Sequence, residues 1–260
     1  MPLIVDFRYR PELDGLRALA VLAVVFYHAT SGVPGGFVGV DVFFVISGYL
    51  ITSLIVKDLE SGEFTFRRFW ERRARRIIPA AAVMVLGTLA AGWFILFPDE
   101  FERLGTTATW QAAFAANVYF WRSTGYFAPA AEEAPLLHTW SLAVEEQFYM
   151  FVPLLLATFF RFKALQRRGP LLTILGVSLA VSFAGSVYGV ASRPVAAFYL
   201  LPSRAWELML GSLVALLPLS TGGRRGRAMA AWAGLALILI PCFIYRRGTP
   251  FPGLAALPPA

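Results

Sequence analysis

Apolar residues along this chain come in long unbroken runs rather than at the 3.6-residue or two-residue spacing of half-buried soluble elements. Charged residues gather between the runs. A bilayer core about 30 Å thick needs about 20 apolar residues in a helix. On that measure seven runs read as membrane spans: Arg17 to Val33, Phe37 to Val56, Ile77 to Phe97, Trp140 to Phe160, Gly169 to Ala191, Pro202 to Leu219 and Ala228 to Tyr245. The stretch Thr106 to Trp121 is uncharged but holds Gln111, Asn117 and three Thr, and reads as a re-entrant or interfacial helix. Gly-Pro, Pro-Gly and Gly-Gly pairs fall mostly at run ends, where chain breakers belong. The pattern predicts an all-α polytopic bundle forming one membrane domain over residues 1–260, without an internal repeat.

Composition agrees. The 260 residues are 58% hydrophobic and 15% charged, and the 23 Phe far outnumber the two Lys. Soluble domains carry about 25% charged residues. The mean hydropathy of +0.64 excludes a soluble, disordered or collagen-like chain. The net charge of +7 does not point to nucleic acid, because the cations cluster between apolar runs as topology signals. With the N-terminus inside and seven alternating spans, 17 of the 23 basic residues fall on the N-terminal side and 6 on the other. A cytoplasmic N-terminus follows. Cys242 is the single cysteine and lies in an apolar run. No metal-ligand spacing is present. Asp6, Glu12 and Asp14, with no small-residue cleavage site, argue against a plain signal peptide. Pro252 to Leu257 reads as the start of a further apolar run, so a C-terminally incomplete domain is expected.

Ionisable groups inside membrane spans mark function by default. Arg17 and His28 are eleven residues apart, within about 20° of three full helical turns, and so share a face about 16 Å apart. Histidine suits proton transfer near neutral pH. The bland alternative is an arginine anchoring the helix end and a histidine bonded within the bundle. Six arginines lie in 67–76. Arg73 and Arg76, three apart, share a helix face. Their planar forks match phosphate oxygens, and they equally suit anionic lipid headgroups. Glu145 and Glu146 face different sides of one helix. Either can orient or accept a proton from a histidine, or serve as a solvated carboxylate at the helix start. Arg204 and Glu207 are spaced to pair structurally. Asp41 either caps its helix or lines a cavity.

Together these residues resemble a known family. The run from Tyr9 to Ala20, the spacing of Arg17 and His28, Gly39 to Leu50, Arg73 and Arg76 (with Arg72 and Arg75 in a second register), and Leu137 to Tyr149 match the motifs of the membrane-bound acyltransferase-3 family. These are O-acetyltransferase-like enzymes that modify bacterial surface polysaccharides. The resemblance implies about ten spans, against seven here, and in some members an added SGNH-type domain. It implies transfer of an acyl group, most often acetyl, from cytoplasmic acyl-CoA to a hydroxyl of lipopolysaccharide, exopolysaccharide or peptidoglycan, in the bacterial inner membrane. Acyl-CoA and the carbohydrate are then the partners, with the lipid bilayer, and no permanently bound cofactor is needed. In that scheme Arg17, Arg73 and Arg76 hold the CoA phosphates. His28 is the general base or carries the acyl group itself, and Glu145 orients His28. A polytopic transporter or lipid flippase is the rival class.

Overall fold

The computed structural model describes residues 10–29, 32–124, 134–161, 168–217 and 223–260. Tyr9 of the opening motif, and Arg8, Lys163 and Arg167 of the charge count, lie outside them. The described residues form ten α-helices without strands: α1 (Pro11–Ala29), α2 (Gly39–Glu60), α3 (Phe66–Ile95), α4 (Pro98–Ala112), α5 (Ala116–Ser123), α6 (Thr139–Arg161), α7 (Arg168–Ser192), α8 (Pro194–Tyr199), α9 (Leu201–Leu216) and α10 (Arg224–Ile244). Short 3₁₀ turns precede α2 at Gly36–Val38 and close the chain at Gly253–Ala256.

Five of these helical stretches are long and apolar enough to cross a bilayer: Gly36–Glu60, Phe66–Ile95, Thr139–Arg161, Gly169–Ser192 and Arg224–Ile244. The other two expected spans are shorter. Glu12, Asp14 and Arg17 take the first turns of α1, which leaves a brief apolar remainder. The 16 residues of α9 rise about 24 Å. The expectation for Thr106 to Trp121 is also refined. Phe114 adopts the left-handed conformation at φ 51° and breaks the segment into α4 and α5, neither long enough to span.

The arginine-rich segment is not a loop, as the hydropathy boundary at Ile77 suggested. Thr65 caps it, its hydroxyl accepting from the Arg68 backbone N–H at 3.2 Å. From there α3 runs unbroken for 30 residues, about 45 Å. That exceeds the bilayer core, so its basic first turns project past the apolar zone. Phe94 and Ile95 at the other end are 86% and 77% exposed, as a lipid-facing surface requires.

The centre of the bundle is the crossing of α2 and α9. A Cβ on Gly48 would lie 1.9 Å from the Leu208 carbonyl oxygen, and one on Gly211 would lie 1.9 Å from that of Val45. Small residues permit this backbone approach, the usual means of packing helices in lipid. Thr52 donates to Ser212 across the contact at 2.8 Å. Around the pair, α6 packs on α2, α7 lies along α9, and α1 covers the other side of α2. The Ser182 hydroxyl donates to the Pro202 carbonyl at 2.7 Å and accepts from the Trp206 N–H at 3.0 Å, tying α7 to the first turn of α9.

Candidate functional site

The helices leave two chemically distinct ends. The starts of α1 and α3 and the end of α2 make an arginine end. The end of α1, the starts of α2 and α6, and α8 make a histidine end.

At the histidine end a cavity of about 410 Å³ opens among Tyr27, Phe37, Trp140, Phe198 and Phe251, with His28 and Arg247 as ionisable members of its lining. His28 is the penultimate residue of α1, and its position is fixed from two sides. Gly36 lets the 3₁₀ turn pack directly on the Ala23 carbonyl, where a Cβ would come within 2.1 Å. Tyr27 stands edge-on to the imidazole at 4.9 Å between centroids. Nδ1 of His28 lies 2.8 Å from the Val24 carbonyl oxygen. A carbonyl only accepts, so the neutral ring carries its proton on Nδ1. The other nitrogen, Nε2, then holds the lone pair, which is the tautomer a general base needs.

Behind the cavity wall lies an ionic cluster without solvent contact. Nη2 of Arg204 stands 3.0 Å from Asp41 Oδ1 and 3.1 Å from Glu207 Oε2, and all three side chains are fully buried. Of the readings open to Asp41, neither a bare cap nor a cavity-lining group describes it; it is the cross-helix partner of Arg204.

Nearer the arginine end, Arg73 turns into the bundle. Its Nη2 lies 3.5 Å from Glu146 Oε1 and its guanidinium stacks over Tyr149 at 4.3 Å. The Tyr149 hydroxyl donates to Glu145 at 3.0 Å, and Ser47 of α2 hydrogen-bonds the same carboxylate. Asn117 and Gln147 exchange amide bonds at 2.8 and 3.2 Å and tie α5 to α6, which accounts for polar residues in so apolar a stretch.

The expected site residues are therefore divided. Arg17 and His28 share α1 as their spacing requires. Arg17 is 37% exposed, with Asp14 at 3.9 Å. Arg73 and Arg76 do not act as a pair: Arg73 points inward, while Arg76 is exposed. The second register is engaged too, with Arg72 bonded to Asp58 and Arg75 to Glu71 at 2.6 Å. The expected contact of Glu145 with His28 is not formed. Glu145 lies five residues, about 7.5 Å, deeper than Trp140, the α6 residue beside the cavity. The group near His28 is His138, whose imidazole is held below its usual value first by burial and then by the charge of His28. Sequence reasoning passed over His138, although it is one of only two histidines in the chain.

The acyltransferase domain of the acyltransferase-3 family (Acyl_transf_3) matches residues 10–257. The chain belongs to this family. The acyltransferase-3 domain is 35% identical over 250 residues to the peptidoglycan O-acetyltransferase OatA of Listeria monocytogenes, covering 91% of this chain and 39% of that protein. It is 37% identical over 214 residues to YrhL of Bacillus subtilis, provisionally named a peptidoglycan O-acetyltransferase, covering 80% of this chain and 33% of the relative. The acyltransferase-3 domain thus spans between a third and two fifths of these relatives' length. No solved structure matches it.

Proposed function

We propose that this chain forms the membrane-embedded part of an O-acyltransferase that moves an acyl group, acetyl foremost, from cytoplasmic acyl-CoA to a hydroxyl of a cell-surface carbohydrate. The observation that carries this is His28, with Nδ1 tied to the backbone and its residue in the lining of an aromatic cavity. Pyranose rings present C–H faces that stack on aromatic side chains, so the cavity suits a sugar. The names of the relatives put peptidoglycan first among acceptors.

In this reading the N-terminus and the arginine end face the cytoplasm of a bacterium, across its inner membrane. The basic excess at that end supports the placement. Half-buried Arg17 and exposed Arg76 take the CoA phosphates, and Arg73 joins them when it leaves Glu146; its 3.5 Å contact is too long to count as a firm hydrogen bond. The pantetheine arm follows the face of α1 from Arg17 toward His28. There His28 Nε2 accepts the proton of the acceptor hydroxyl as its oxygen attacks the thioester carbonyl. The C–S bond breaks, and the departing thiolate takes the proton back from the imidazolium. The products are an O-acyl sugar and free CoA. General base catalysis of this kind is worth about 10²–10⁴ in rate.

The test is His28→Ala in the full-length protein, with acyl-CoA thioester loss and ester formation followed in membranes. His28 is exposed at the end of α1, so insertion should be unchanged while transfer falls at least 100-fold. Transfer at the wild-type rate removes His28 from the chemistry.

A further inference from the structure

Arg204 is unusual in how its charge is held. Its Nη2 meets Asp41 and Glu207, but its Nε and Nη1 donate to no polar atom among the described residues despite full burial. Four rings surround the guanidinium instead: Phe44 at 5.2 Å, Phe251 at 5.5 Å, Trp140 at 5.7 Å and Phe198 at 6.0 Å. A desolvated guanidinium is attracted to such π faces. The rings come from α2, from the segment after α10, from α6 and from α8. Three of them, Trp140, Phe198 and Phe251, also wall the His28 cavity. The cation therefore sits one ring's thickness behind the cavity.

Two roles are open to a cation in that place. It can stabilise negative charge developing on the thioester oxygen, or it can hold the rings. The first needs an N–H within about 3 Å of that oxygen. Arg204 does not line the cavity, aromatic rings stand between, and two carboxylates offset its charge. We infer that Arg204 is a positioning residue: by gathering one ring from each of three separate segments it sets the shape of the cavity in which the acceptor binds. Identifying that ligand as the acceptor rests on the function proposed above; the shaping of the cavity does not. Lysine cannot substitute, because a compact, strongly hydrated ammonium lacks the weakly hydrated planar guanidinium that the rings surround.

The experiment uses the full-length chain in membranes, with Cys242→Ser and the cavity-lining Val195→Cys introduced. Arg204→Lys is compared with the parent. The triple change Asp41→Asn, Arg204→Met, Glu207→Gln serves as a second variant that leaves no charge unpaired should the first fail to insert. The first readout is the rate at which a water-soluble maleimide labels position 195. The second is the KM for acetyl-CoA against that for N-acetylchitotriose as probe acceptor. We expect the labelling rate to change at least fivefold, and the acceptor KM to rise at least tenfold with the acetyl-CoA KM within twofold. Unchanged labelling in whichever variant inserts overturns the inference, as does an equal rise in both KM values. If the parent transfers nothing to the probe acceptor, the proposed function is at fault, and the labelling rates alone still decide the role of Arg204.

Discussion

Gly48→Ala tests whether the α2–α9 crossing holds the molecule together. The added Cβ would meet the Leu208 carbonyl oxygen at 1.9 Å, and backbone on both sides cannot swing aside. An ordinary C···O approach is about 3.3 Å, so the helices must part by about 1.4 Å. The reciprocal contact of Gly211 with Val45 lies beside the first and keeps the separation close to parallel. Thr52 and Ser212, now 2.8 Å apart, would move to about 4.2 Å, beyond hydrogen-bond range. That loss is worth about 0.6 kcal/mol. Arg204 and Asp41, now at 3.0 Å, would stretch to about 4.4 Å, which weakens their attraction by about 1.8 kcal/mol at an effective dielectric of 20. Overpacking at the crossing adds about 1–3 kcal/mol. The total is about 3–5 kcal/mol, equivalent to a fall of about 6–20 °C in Tm. Thermal unfolding of the purified full-length protein in detergent, followed by tryptophan fluorescence, reads this directly. Gly234→Ala in α10 is the control, because its new Cβ meets nothing within 4 Å and alanine favours the helix by up to about 1 kcal/mol. A Gly48→Ala protein as stable as the parent would refute the close crossing.

Arg73→Ala should destabilise where Arg76→Ala does not. The first strands Glu146, only 5% exposed, without its cation; the cost is about 3 kcal/mol, the low end for a broken buried pair because the contact is loose. The second removes an exposed side chain, worth within about 0.5 kcal/mol, and instead raises the KM for acyl-CoA. Equal losses of Tm in the two variants would contradict the inward turn of Arg73. His138 supplies a pH dependence. Its lowered value means that the unfolded chain protonates first as the medium acidifies. The stability contribution is complete above the ordinary value of 6.5 and is lost as pH falls through the lowered one. The Tm of the parent should therefore drop more between pH 7 and pH 5 than that of His138→Gln (about the range in which histidine titrates). A larger drop in the variant would reverse the sign and refute the lowered value of His138.

Hydropathy made the long helices legible because the bilayer rule is one of length and composition. Charge placement made the two ends legible for a similar reason. Each failed where a second rule competed. The basic start of α3 has no apolar signal, yet arginine and glutamate favour helix and Thr65 caps it, so the helix begins eleven residues before the apolar run. Spacing along one helix correctly placed Arg17 and His28 on a common face, since 3.6 residues per turn is a local property. It could not say which neighbouring helix that face meets. Glu145 therefore found Tyr149 and Ser47 rather than His28, and Arg73 parted from Arg76 to reach Glu146. The pairing of Arg204 with Glu207 was legible at i, i+3. Its other partner, Asp41, lies 163 residues away and is brought in only because Gly48 and Gly211 let α2 and α9 touch. That crossing connects the fold to the chemistry: the glycines set the helix separation, the separation seats Asp41 on Arg204, and Arg204 holds the rings that shape the cavity beside His28. Residues with no reactive atom thus govern the geometry around His28, the imidazole proposed as the base, and a site read from motifs alone omits the part of the sequence that shapes it.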